Sequence, residues 1–238
     1  MHDDRALAID GLVVEYHRGM PVVAGLSFNV RPAEMVGLFG RNGAGKSTTL
    51  RAVFGMVRRR EGTVSVLGQG VHMRAKPHEI VRLGATMVIE GRGIFADLTV
   101  EENLRVARGA GWRGAASKAF ERFPLLAARR ATPAGRLSGG EQQLLAVARA
   151  SMLEPRLLVV DEPSLGLSPA ATQIVLDALR DMASRGAAIV VADQNVTAVG
   201  PACDRAVVME AGRLAAELTR EELAANPERV ENIYLGKE

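Results

Sequence analysis

Cysteine is almost missing from this chain of 238 residues: Cys203 stands alone. One thiol cannot close an internal disulfide, and the cysteine and histidine spacings offer no zinc site. A reducing, cytoplasmic setting is therefore the default expectation. Long apolar runs are missing too. No stretch approaches the ~18 consecutive apolar residues of a transmembrane helix. The start, Met1-His2-Asp3-Asp4-Arg5, lacks the basic and apolar segments of a secretory signal, and none is expected. There is no internal repeat and no low-complexity linker. Aromatic residues make up only 4%. None interrupts the compact basic runs Arg58-Arg59-Arg60 and Arg129-Arg130, so both are expected in solvated loops and not on a phosphate backbone. A formal charge of +3 spread over this length is no footprint for nucleic acid either.

What is present suits a globular fold. Hydrophobic residues are 47% and charged residues 24%, which excludes a largely disordered chain. The length allows one large domain or two small ones, and a core that needs no staples.

The first ~70 residues read as short strands at Leu12–Tyr16, Val22–Val30, Met35–Phe39 and Thr63–Leu67. A glycine-rich loop and a helix from about Lys46 to Phe54 interrupt them. The middle, about Gly91 to Leu153, reads as mostly helical, broken at Gly109, Gly111 and Gly114. Thr99–Glu102 and Ser138–Glu141 both have capping-box spacing. Leu157–Val160 and Ala187–Ala192 are short all-apolar runs, as in strands covered on both faces of a parallel sheet. Between them Ser168-Pro169 opens a helix whose apolar stripe is Ile174, Val175, Ala178, Leu179 and Met182. Strands at Ala206–Met209 and Leu214–Leu218 flank a turn, and Thr219–Glu222 caps a closing helix. The pattern predicts an α/β nucleotide-binding core with a helical insertion.

Gly40-Arg-Asn42-Gly43-Ala-Gly45-Lys46-Ser47 fits G-x-x-x-x-G-K-[ST] in its required context, after an apolar strand and before a helix. Glycines let successive backbone N–H groups point into one concavity, and the helix start adds positive potential. Lys46 is expected at the β- and γ-phosphates, Ser47 at Mg²⁺ and Thr48 at the α-phosphate. Asp161 and Glu162 end the run Leu157–Val160, where open α/β sheets bind ligands. Asp161 is expected to hold Mg²⁺ through water, and Glu162 to polarise the attacking water. A GTPase would also need an Asn-Lys-x-Asp guanine reader, and there is none.

Leu137-Ser138-Gly139-Gly140-Glu141-Gln142 lies between these two motifs. Taken alone it is a helix cap. In this order and spacing the three motifs resemble those of the ABC ATPases, whose signature is Leu-Ser-Gly-Gly-Gln; here Glu141 takes the last place. The resemblance runs from about Leu7 to Gly236. It implies a P-loop NTPase (RecA-like) core at about residues 1–90 and 154–238, an N-terminal antiparallel β subdomain, and a helical subdomain at about 91–153. It also implies a head-to-tail dimer, with a second ABC ATPase subunit or with itself. ATP would then lie between one phosphate loop and the other subunit's Ser138 and Gly140. Tyr16 falls where the family stacks an aromatic on adenine. Glu90 stands for the usual glutamine, as a ligand of Mg²⁺ or its water. Gln194 stands for the usual histidine, as a neutral donor to the γ-phosphate. Ser164-Leu-Gly-Leu167 lacks the aspartate of many relatives.

Glu90–Phe95, Leu98–Leu104, Asp161–Pro169, Asp193–Asn195 and Tyr234-Leu-Gly236 narrow the resemblance. They look like the second ATPase subunit of branched-chain amino-acid uptake systems, with relatives for urea and short amides. That resemblance implies integral-membrane permeases docked near Glu90–Leu98, an external solute-binding protein acting indirectly, and a place on the inner face of the plasma membrane. The competing readings are a soluble ABC ATPase without transport, a small-molecule kinase, and a nucleotide-dependent regulator.

Overall fold

The structure, a computed structural model, describes residues 4–108, 111–225, 230 and 233; Gly109 and Tyr234–Gly236 lie outside them. In chain order the first elements are β1 (Leu7–His17), β2 (Met20–Val30), β3 (Met35–Phe39), α1 (Lys46–Val53), β4 (Arg59–Val66), β5 (Gln69–Gly70), α2 (Pro77–Arg82) and β6 (Ala85–Val88). Four helices follow: α3 (Val100–Arg108), α4 (Trp112–Arg122), α5 (Pro124–Ala127) and α6 (Gly139–Ser151). The chain then runs through β7 (Leu157–Asp161), α7 (Pro169–Ser184), β8 (Ala188–Asp193), α8 (Val196–Val199), β9 (Arg205–Glu210), β10 (Arg213–Thr219) and α9 (Arg220–Ala225).

These strands make two sheets. One is antiparallel, in the order β2-β1-β4-β5. The other runs β10-β9-β3-β8-β7-β6, parallel except for the β9–β10 hairpin. The parallel sheet is covered on both faces, as its all-apolar strands require. Alternate residues supply two cores. Phe39, Leu158, Val160, Ile189 and Val191 face the core shared with Leu144, Leu145, Val175 and Leu179 of α6 and α7. Leu38, Leu157, Val159, Val190 and Ala192 face the core shared with Leu50 and Val53 of α1 and with Leu12, Val14 and Phe28 of the antiparallel sheet.

Local chemistry fixes the helix starts. The Ser138 hydroxyl accepts from Glu141 N at 3.3 Å, and the Glu141 carboxylate accepts from Ser138 N at 2.8 Å. Thr99 and Glu102 repeat this reciprocal cap. Ser168 caps α7 by accepting from Ala171 N at 3.3 Å.

Two expectations need correction, and one strand is additional to them. Arg59 is not solvated but 2% exposed. It pairs with Val14 inside the antiparallel sheet, and its guanidinium donates to the Val71 carbonyl at 2.6 Å. Ile174 is exposed on α7, and Leu176 takes its place in the buried stripe. Strand β6 was not anticipated: Ala85–Val88 is short, and Thr86 interrupts its apolar run.

Candidate active site

The parallel order brings four strand ends together. Residue 40 follows β3, residue 90 follows β6, Asp161 ends β7 and Asp193 ends β8. All four point the same way because the strands are parallel.

The loop between β3 and α1 is shaped by close approaches that only glycine permits. A Cβ on Gly40 would lie 2.6 Å from the Met209 carbonyl oxygen and 2.9 Å from Ala44 Cβ. Gly45 has φ +102° and sits against the Val22 carbonyl. The helix it opens has no acidic residue in its first turn, so its free N–H groups and dipole favour an anion. Lys46 is 4% exposed, and its ammonium donates to the Gly40 carbonyl at 2.7 Å and the Arg41 carbonyl at 3.3 Å. Burial lowers its pKa, against the raising pull of Glu162, Asp193 and Asp161. Asn42 and Gly43 are exposed at the tip of the loop.

Ser47 donates its hydroxyl to Asp161 Oδ1 at 3.0 Å across the sheet edge. Asp161 is 1% exposed, and its Oδ2 has no hydrogen-bond partner. Burial pushes its carboxyl up, and the Ser47 bond opposes this. Glu162 is half-buried, with φ +50°, a strained value for a residue with a side chain. Burial raises its pKa as well, Lys46 pulls it down, and Glu90, Asp161 and Asp193 push it up. Glu90 itself is exposed and faces Arg51 at 3.9 Å. Gln194 is exposed on the loop after β8. Tyr16 lies on β1, 53% exposed, with its hydroxyl 3.3 Å from the Thr48 hydroxyl. Its ring is thus free for a ligand and tied to the phosphate loop.

Ser138 and Gly140 are not drawn into this group. Ser138 is exposed at the start of α6. Gly140 has a packing reason of its own, since a Cβ there would lie 2.6 Å from Ala171 Cβ. Two neighbours of the site were not assigned from the sequence. Arg51, one turn into α1, faces Glu90 and lowers the Asp161 carboxyl. Asp193 accepts from Ser164 and from Asn195 N. A signal for Asp193 existed: Ala187–Ala192 ends in an acid just as Leu157–Val160 does.

Charge balance and donor placement suit a magnesium nucleotide. Mg²⁺ takes one or two carboxylates and completes its shell with water and phosphate oxygens. Asp161, with one orphaned buried oxygen, and Ser47 offer that partial set. Among the described residues no cluster of three His, Cys, Asp or Glu side chains could hold a metal by itself.

Comparison with known proteins agrees. The family described as ABC transporter matches residues 23–165. The high-affinity branched-chain amino acid transport ATP-binding protein BraG of Pseudomonas aeruginosa is 36% identical over 94% of this chain and 97% of its own length. The Nod factor export ATP-binding protein I of Burkholderia orbicola is 38% identical over 82% of this chain, which spans 65% of that protein. Among solved structures, an ATP-binding subunit of an ABC transporter is 27% identical, with a TM-score of 0.80 over 97% of this chain and 98% of that one. A nucleotide-free ATP-binding cassette superposes with a TM-score of 0.85 over 97% and 98% at 23% identity, a likeness of fold. The expected P-loop NTPase fold is the fold observed. With a phosphate loop, an acidic pair and a signature helix in one chain, this protein is an ATPase that belongs to the ABC transporter family.

Proposed function

We propose that this chain powers solute uptake through separate membrane permeases, the solute being a branched-chain amino acid or a related amino acid or amide. One observation carries the nucleotide half: the Ser47–Asp161 bond joins the phosphate loop to the end of β7, with Glu162 next to it. The likeness to BraG over nearly both full lengths supports the solute class. The Nod factor export protein supports a second reading, export, but this chain spans less of it.

In this reading the amides of residues 43–48 and the Lys46 ammonium receive the phosphates, and Tyr16 stacks on adenine. Ser47 and Asp161 hold Mg²⁺, with Glu90 close to its water shell. When bound, Mg²⁺ offsets the negative charge on the phosphate oxygens. Glu162 orients and polarises the attacking water, and its raised pKa makes it a better proton acceptor. Gln194 donates an amide hydrogen to the γ-phosphate. It cannot become cationic as histidine could. Ser138 and Gly140 close on the nucleotide of a head-to-tail partner, which is a second ABC ATPase or another copy.

No helix among the described residues is long and apolar enough to cross a membrane. In this reading separate permeases carry the solute, and the ATPase sits against them on the inner membrane face. Ile89, next to Glu90 in the chain, and Phe95 are exposed and offer apolar surface for docking. Nucleic acid has no place in this reading.

Glu162→Gln tests it. The variant should keep ATP affinity and lose about 10²–10⁴-fold in turnover. Undiminished hydrolysis removes Glu162 from its role. Deleting the gene should abolish accumulation of labelled leucine or a short amide; unchanged accumulation with lost efflux favours export.

A further inference from the structure

The motif readings give Asp193 no role in the site, yet it ties the site together. It ends β8, is 2% exposed and accepts three hydrogen bonds. Its Oδ2 accepts from Ser164 N at 3.1 Å. Its Oδ1 accepts from the Ser164 hydroxyl at 2.9 Å and from Asn195 N at 2.9 Å. One side chain thus holds two loops, the one that leaves Glu162 and the one that carries Gln194. All three partners donate, so the Asp193 side chain serves here as an acceptor.

The Glu162 turn needs such a hold. Its backbone is left-handed at φ +50°, which a side chain disfavours. Its N–H is tied to the Ala192 carbonyl at 2.7 Å. Residues 192 and 193 therefore grip the turn twice, at Glu162 and two residues on at Ser164. Ser164 opens the loop that lacks the aspartate of many relatives.

We propose that Asp193 is a positioning residue. By bonding Ser164 and Asn195 at once, it sets Glu162 and Gln194 in one register over the phosphate loop. It acts through these loops and touches no substrate. The proposal rests on the reading of Glu162 as the residue that polarises water. The rival role is that of a distant counter-charge to Lys46, whose pKa it raises.

ATP hydrolysis and ATP titration on the purified chain separate the two. Asp193→Asn places an amide N–H₂ against a donor, and kcat should fall about 10- to 100-fold, as for a small misplacement of a reacting group. KM for ATP, the number of ATP sites per chain and ATP affinity should stay within about threefold. Ser164→Ala keeps the charge and should lower kcat about 3- to 10-fold, while Ser164→Thr restores it. The double variant should be no slower than Asp193→Asn alone. A wild-type rate in Ser164→Ala, fully additive losses, or an affinity that falls in step with kcat would each overturn the proposal. Should Asp193→Asn fail to fold, the Ser164 pair decides: equal rates for alanine and threonine overturn it. Glu162→Gln run alongside separates the two failures. A fast Glu162→Gln sinks the reading beneath; a slow one with an unimpaired Ser164→Ala sinks this proposal alone.

Discussion

Ser47→Ala should cost the nucleotide-free protein stability, and most at high pH. The Ser47 hydroxyl is the donor on Asp161 Oδ1 at 3.0 Å, while Oδ2 has no partner. Asp161 is 1% exposed, so water does not replace the lost donor. Leaving a buried acceptor unpaired costs about 1–3 kcal/mol. For a chain of this size that is a drop of about 2–12 °C in Tm. The pH dependence follows from the direction of the Asp161 shift. Burial raises its pKa in the folded state and the Ser47 bond holds it down, so removing the bond raises it further. A folded carboxyl with a raised pKa takes up its proton before the unfolded one does, which stabilises the fold as pH falls. The Ser47→Ala penalty should therefore be full above the variant's Asp161 pKa and fade as pH drops through it. Thermal unfolding with a chelator, stepped from pH 8 downward until the Asp161 carboxyl takes up its proton, reads both effects. An unchanged Tm at pH 8, or a loss that stays constant with pH, refutes the reasoning. Asp161→Asn should shrink the Ser47→Ala cost, since no buried charge is then stranded.

Other substitutions probe other parts. Gly40→Ala forces a Cβ to 2.6 Å from the Met209 carbonyl, so the fold should lose about 1–3 kcal/mol and ATP affinity should fall; denaturant unfolding and titration check this. Lys46→Ala should weaken ATP binding about tenfold or more by removing a buried ammonium from the cradle, as calorimetry would show. Asp204 accepts two bonds of 2.6 Å from Arg180 and one from Met35 N, and the Arg180 bonds lower its pKa. Its contribution is full above the ordinary aspartate pKa and lost as pH falls through the depressed one. Asp204→Asn should therefore cost about 1–2 kcal/mol at neutral pH and nearly nothing below that lower pKa, as urea melts at both pH values would show.

Local signals carried much of this fold into the sequence. The loop before α1 is legible because its glycines, Lys46 and Ser47 are contiguous, and Met35–Phe39 is strand to the residue. Caps are equally local, and Ser138, Thr99 and Ser168 each make theirs. What escaped depends on partners distant in the chain. Arg59 looks solvated until Val14 pairs beside it and the Val71 carbonyl accepts a hydrogen bond from it. Strand β6 has little signal of its own and exists because β7 offers it a parallel partner. Asp193 resembles a loop acid until Ser164, 29 residues earlier, is brought against it. The strand order that places residues 40, 90, 161 and 193 at one edge is likewise a property of the packed chain. Ser138 stays apart from that edge in one chain, which is why its role is assigned to a partner's nucleotide.

The structure of the Glu162→Gln variant with magnesium ATP tests the central claim most directly, with the chain paired to another copy or to its companion ATPase. The triphosphate should rest on the amides between Gly43 and Thr48, with Ser138 of the facing subunit within about 3 Å of the γ-phosphate. Nucleotide held elsewhere, or a Ser138 that faces solvent while hydrolysis in the unmutated protein proceeds, would contradict the account.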